Sequence, residues 1–153
     1  MDDTKILDFL KTQPMATIST IAPGSLQPES ALVAFTQTDE LEIIFETFVD
    51  TRKWNNLQKN PHVSFVIGWD TKDHVTVQYE GIAKAASNDE QTGSYIKTFL
   101  AKDTPCTEKF LRDYRVRLFK VKPTWIRYSD YTGEVPAIIE QVYYSCKSLT
   151  NLP

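Results

Sequence analysis

Five runs with the composition of strands follow one another closely: Met15 to Ile21, Glu29 to Thr36, Leu41 to Phe48, His62 to Trp69 and His74 to Ala86. β-Branched and aromatic residues dominate them, and most alternate apolar with polar positions. The breaks are mostly short. Ala22-Pro23-Gly24-Ser25 is a turn, Gln37 to Glu40 is a polar connection, and Asp70 to Asp73 is a second turn. A parallel neighbour requires a crossover of about a dozen residues or more, so the first three runs read as an antiparallel meander.

One break differs. Thr51-Arg52-Lys53-Trp54-Asn55-Asn56-Leu57-Gln58-Lys59-Asn60-Pro61 reads as a short helix between two strands. Asp50 or Thr51 can cap it, and Asn60-Pro61 stops it. Thr51, Arg52 and Lys53 then stand at the helix start, where free N–H groups and the positive dipole end join a hydroxyl and two cations. Such a cluster suits a phosphate or another anion. An adjacent Arg-Lys pair is also an ordinary solvated surface, but cations at a helix start oppose the dipole, and a purely structural role would place them at the other end.

The rest of the chain fits around this frame. Asp3 to Lys11 is expected to be a helix laying Ile6, Leu7 and Leu10 over one end of a sheet. His62 to Trp69 is apolar at both parities, which predicts a central strand covered on both sides. Gly81 predicts a bulge or barrel bend in the strand from His74 to Ala86. Ser87 to Leu100 reads as one helix with Ser87 and Asn88 as caps, and Thr104 to Tyr114 as a second, with Pro105 near its start. Val116 to Val121 and Thr124 to Tyr128 are two strands or one strand kinked at Pro123. Val135 to Tyr144 fits a helix by spacing and a strand by β-branched content. Residues beyond Cys146 read as a frayed tail. The expected fold is mainly β with flanking helices, a six-stranded antiparallel barrel forming one domain over residues 1–153.

Charge and composition narrow the function. A formal net charge of −3 without a basic run argues against nucleic acid or a membrane surface as partner. No apolar run approaches the roughly 20 residues of a membrane span. Met1-Asp2-Asp3 is acidic where a secretory leader is basic, so a cytoplasmic setting with Cys106 and Cys146 reduced is expected. His62 and His74 are too few and too isolated for a metal centre, and both read as surface residues near strand ends. No glycine-rich nucleotide loop is present. Phe45 and Phe65 read as core. Trp69 can close a barrel end or face a ligand, and Trp125 and Tyr128, beside Ser129-Asp130, read as an interface or a pocket wall.

Together, Thr51-Arg52-Lys53, Asn56-Leu57, Asn60-Pro61 and Val63-Ser64-Phe65, then Val77-Gln78-Tyr79-Glu80-Gly81 and Lys122-Pro123-Thr124-Trp125-Ile126-Arg127-Tyr128, resemble the pyridoxamine 5′-phosphate oxidase-like family of FMN-binding split barrels. The likeness runs in order over about residues 5 to 130. It implies a homodimeric flavoprotein, an oxidoreductase with FMN in a groove between subunits and no nominated catalytic side chain. By position, Arg52 and Lys53 would pair with the FMN phosphate and Thr51 would donate to it. Phe45, Glu46 and Thr47 would lie along the ring edge through backbone groups, with Trp69 and Thr76 nearby. Trp125 and Tyr128 would reach the partner's flavin. The second strand, Ser30-Ala31-Leu32-Val33-Ala34-Phe35, lacks the Arg and Lys of the true oxidase pattern, and its C-terminal substrate segment is not recognisable. Vitamin B6 oxidation is thereby disfavoured. The alternative is a binding or sensor protein for a flavin, a deazaflavin or haem.

Overall fold

A computed structural model describes residues 2–144. Helix α1 (Asp2–Thr12) leads into strands β1 (Met15–Ile21), β2 (Pro28–Gln37) and β3 (Ile43–Phe48). Helix α2 (Arg52–Leu57) follows, then β4 (His62–Gly68) and β5 (Val75–Ala85). Three short helices, α3 (Asn88–Thr92), α4 (Ser94–Ala101) and α5 (Glu108–Leu111), precede β6 (Val116–Asp130) and β7 (Ala137–Val142). The strand order is β3-β2-β1-β4-β5-β6-β7, every described pairing is antiparallel, and β3 also pairs with β6. Six strands therefore close into the expected split barrel, and β7 is an addition at its side.

Closure depends on the length of β6. Its first half pairs with β3, from Val116↔Phe48 to Val121↔Ile43, and its second half with β7, from Trp125↔Val142 to Asp130↔Ala137. Pro123 breaks nothing, because it lies opposite the register shift between Glu80 and Gly81. The extra residue of the bulge is the neighbouring Thr124, and the ladder irregularity there tolerates a proline, which has no N–H to donate. The anticipated bulge at Gly81 is present, and one continuous strand replaces the two alternatives at residues 116–128. Val135 to Tyr144 resolves as strand, following its β-branched content.

Alternate side chains fill the barrel. Ile18, Val33, Phe35, Ile43, Phe45, Phe65, Ile67, Val77, Tyr79 and Val121 form one buried cluster, joined by Ile6 and Leu10 of α1 and by Leu57 of α2. Phe45 stacks on Phe119 at 5.5 Å and meets Phe65 edge-on at 5.8 Å. A second cluster lies outside the barrel, where Tyr95, Ile96 and Phe99 of α4 and Leu111 of α5 cover Ala34, Ile44 and Leu118.

That one-sided cover corrects the reading of His62 to Trp69. β4 alternates between buried and exposed positions, with Val66 52% exposed, because the helices shield the outer face of β2, β3 and β6 and leave that of β4 bare. The single helix expected over Ser87 to Leu100 is two. Ser87 and Glu90 form a reciprocal capping box, but Gly93 adopts φ −121°, ψ −96° and ends the first helix. The helix expected from Thr104 shrinks to Glu108–Leu111, because Thr107 rather than Pro105 starts it by accepting from the Phe110 N–H at 3.2 Å. The expected tail beyond Cys146 lies outside the described residues.

Candidate functional site

β2 and β3 pair only from Phe35↔Phe45 to Gln37↔Ile43. Before Phe35, β2 follows β1 instead, so β2 and β3 splay apart, and α2 fills the gap. Thr51 caps α2: its Oγ1 accepts from the Trp54 N–H at 3.2 Å and donates to the Phe48 carbonyl at 2.8 Å, with the Thr47 hydroxyl at 2.9 Å. The Thr51 proton is thus used within the protein, and its hydroxyl positions the turn that carries Arg52 and Lys53. Trp54 and Leu57 point inward, Trp54 meeting Phe119 at 5.8 Å. With only six residues, α2 has little macrodipole to offer, so any attraction for an anion rests on the Arg52 and Lys53 side chains.

Thr20, Glu29, Ser30, Ala31, Thr51, Arg52 and Lys53 line a cavity of about 170 Å³. Arg52 is mostly exposed, and its Nη1 donates to Glu29 Oε1 at 2.8 Å. Glu29 is largely covered, and its Oε2 accepts from Asn56 Nδ2 at 2.9 Å. The same Nδ2 donates to Thr20 Oγ1 at 2.9 Å, deep in the protein. Lys53 is half-buried. Burial lowers its pKa, and Glu46, nearby but in no direct ion pair with it, pulls the other way. Glu46 is itself raised by burial, with Lys53 opposing.

Ser30, exposed on the outer face of β2, lines the cavity beside Glu29 and Ala31, which alternate to the other face. Ser30 is two residues from Leu32, roughly 7 Å along the strand, and Leu32 borders a second cavity of about 240 Å³. Thr17, Val66, Gly68 and Trp69 also line this second cavity. Trp69, in the left-handed region at φ 72°, stacks on His74 at 5.0 Å. A non-glycine residue there is strained and persists only where its surroundings hold it. Thr76 pairs with Gly68 at the edge of the same cavity.

The sequence-expected residues therefore separate into four groups. Thr47, Thr51, Arg52, Lys53 and Glu46 come together at the splay, and Trp69 and Thr76 lie further along the same outer face. Phe45 and Tyr128 point into the barrel: Phe45 is fully buried and Tyr128 is 4% exposed, its ring edge-on to Phe9 at 5.8 Å. Tyr128 is thus core, because alternation along β6 sends it inward while Trp125 and Arg127 point outward. Trp125 is four strands from Ser30 through the row Ser30–Ser19–Ser64–Glu80–Trp125, about 19 Å at strand spacing. Sequence reasoning did not select Glu29, Thr20 or Asn56 as site residues. An acid at a strand start carries no local signal, and only tertiary packing brings Glu29 to Arg52.

Residues 3–130 match the pyridoxamine 5′-phosphate oxidase family, most of the chain. The chain belongs to this family. Over 86 residues it is 33% identical to a pyridoxine/pyridoxamine 5′-phosphate oxidase of Streptomyces avermitilis, spanning 56% of this chain but only 38% of that protein's length. A putative pyridoxamine 5′-phosphate oxidase from Listeria innocua superposes with a TM-score of 0.68 at 18% identity, covering 87% of this chain and all of that one. HutZ, a haem storage protein of Vibrio cholerae, superposes at 0.67 with 17% identity over 78% of this chain and 88% of its own. At these identities the two structures establish the split-barrel fold. No helix of the described residues is long and apolar enough to cross a membrane.

Proposed function

We propose that this family member is a cytoplasmic flavoprotein, an FMN-dependent oxidoreductase acting on a small substrate. The observation that carries the reading is the neighbourhood of two cavities, bordered by the consecutive β2 residues Ala31 and Leu32. Arg52 and Lys53 line the first, and apolar Leu32 and Val66 line the second together with Trp69, so the two would form one groove for a ligand that spans them. A ligand with an anionic end and a flat ring would use both parts. Arg52 and Lys53 would hold the phosphate through charge-assisted bonds, Thr51 and Thr47 would orient that turn, and Leu32, Val66 and Trp69 would wall the ring. When bound, the isoalloxazine would supply the redox chemistry.

The same face supports a homodimer. Leu32 is 68% and Val66 52% exposed, and both line the second cavity. A two-fold contact there would cover them and bring Trp125 towards the partner's groove.

Saturable quenching of flavin fluorescence on titrating FMN with protein tests the first claim. Arg52→Ala should weaken binding by about 0.5 kcal/mol, the scale of an exposed charge pair, because Arg52 is mostly exposed and already paired with Glu29. Absence of quenching at tens of micromolar, on the order expected for a functional site, rejects FMN, and a deazaflavin is the next probe. Val66→Asp should convert a dimer to a monomer in sedimentation, and an unchanged mass removes this face from the interface.

A second reading is a non-catalytic haem-binding carrier or sensor. It is favoured by the exposed imidazole of His74, stacked on Trp69 beside the groove, and by the haem-storage role named for the Vibrio structure. A Soret band on adding haem that His74→Ala abolishes would select it over the flavin.

A further inference from the structure

The two cations of the groove are not free. Arg52 is held by the Glu29 carboxylate at 2.8 Å, and Lys53 feels the opposing charge of Glu46. Two positive and two negative side chains therefore meet at this end of the groove, and their formal sum is zero. Glu29 is more than a surface partner, since it is only 18% exposed and its second oxygen is tied to buried Asn56. Its two oxygens thus have separate donors, and the side chain is fixed while the Arg52 stem stands in solvent. A tethered carboxylate takes up Nη1 of Arg52, one of the donors a ligand oxygen would use.

We propose that Glu29 is the specificity-determining residue of this groove: it discriminates by the charge of the ligand's anionic end, disfavouring the dianion of a terminal phosphate monoester relative to a ligand whose end is neutral or singly charged. This rests on the flavin reading above. A dianion must displace Glu29 from Arg52 or bind beside it. In the first case a charge-assisted bond is exchanged for one of similar strength, with no net gain. In the second, a carboxylate and a phosphate share one guanidinium, and their mutual repulsion removes most of what Arg52 contributes. A phosphate-free or singly charged end meets far less of this opposition. The ring contacts with Leu32, Val66 and Trp69 are the same in every case. The consequence is a cofactor held chiefly by its ring, and a phosphate that adds little.

Riboflavin and FMN share the ring and differ in the phosphate, so their affinity ratio isolates this effect. The substitution is Glu29→Gln, which keeps an oxygen to accept from Asn56 and removes the charge from Arg52. In the unaltered protein FMN and riboflavin should bind within about threefold of each other, the phosphate contributing little against Glu29. Glu29→Gln should raise FMN affinity about tenfold and leave riboflavin within about twofold, as expected when one charge-assisted bond becomes available. Arg52→Met added to Glu29→Gln should cancel that gain. Glu29→Ser, which removes the carboxylate altogether, repeats the comparison with thermal unfolding recorded for each variant. An unchanged FMN-to-riboflavin ratio in the Glu29 variants, with riboflavin still bound, overturns the role of Glu29 and leaves the flavin reading standing. Weaker FMN binding in Glu29→Gln also overturns it, by showing that Glu29 presents Arg52 to the phosphate. Failure of every variant to bind either flavin overturns both readings.

Discussion

Asn56 is the buried joint of the candidate site, and replacing it with leucine tests the packing argument directly. Its side chain is 2% exposed, and its Nδ2 serves Thr20 Oγ1 and Glu29 Oε2, each at 2.9 Å. Thr20 is 1% exposed, so its oxygen cannot turn to water once the amide is gone. That loss costs about 1 kcal/mol, as for a neutral buried bond. The bond to Glu29 is charge-assisted, but Glu29 keeps Arg52 and some solvent, so the low end of the range, about 1.5 kcal/mol, applies. Leucine has nearly the shape of asparagine, and its extra apolar contact returns about 0.5 kcal/mol. The net expectation is about 2 kcal/mol of destabilisation. At a urea m-value of about 2 kcal/mol/M this is a fall of roughly 1 M in the unfolding midpoint with m unchanged. The isosteric Thr20→Val supplies the control. If the two side chains share the bond, the double variant should cost about 1 kcal/mol less than the sum of the singles. A midpoint shift below about 0.2 M for Asn56→Leu, or strict additivity in the cycle, would refute the network.

Three further expectations concern the frame. Gly81→Ala places a Cβ 2.5 Å from the Lys122 carbonyl oxygen and 2.5 Å from Val121 Cγ1, at the bulge opposite Pro123. Because a backbone oxygen cannot move aside, the protein should lose about 1–3 kcal/mol of stability in urea unfolding, the range for overpacking; a neutral result would mean that the bulge yields. Tyr79→Phe removes a buried hydroxyl lying 2.9 Å from the Val121 carbonyl oxygen and 3.1 Å from that of Leu41. It should cost about 1–2 kcal/mol, and slowed amide exchange at the β3–β6 seam relative to the unaltered protein would contradict it. Lys102 donates to the Leu10 carbonyl at 2.9 Å and to Gln37 Oε1 at 2.7 Å above the Phe35 ring, and burial lowers its pKa to about 7. The folded state then binds fewer protons than the unfolded state between about pH 7 and pH 10, where an unfolded lysine titrates. Stability should rise with pH across that window and carry the full cost of the buried charge below it. The urea midpoint of the unaltered protein should gain on that of Lys102→Met between pH 6 and pH 9, and a constant difference would show that the acceptors and the ring hold the ammonium charged.

Local sequence determined the strands, the meander of the first three and the turn that carries Arg52 and Lys53. Alternation, glycine, proline and capping residues act over a few positions and are visible without partners. Met15–Ile21 matches the observed β1, and Thr51 is the observed cap. Where local signals conflicted, long-range pairing decided. Val135 to Tyr144 became strand because the second half of β6 offers it an edge, and Pro123 was absorbed because Gly81 lies across from it. Which face of β4 is covered also had to wait, since apolar side chains at both parities do not reveal where α4 and α5 dock. The site divides in the same way. The cations could be read from the chain, but their counter-charges could not. Glu29 is 23 residues from Arg52 and becomes its partner only because β2 leaves β3 for β1 and α2 drops into the gap. Electrostatic pairing depends on distance in space, and a closed barrel brings together residues that the sequence keeps apart.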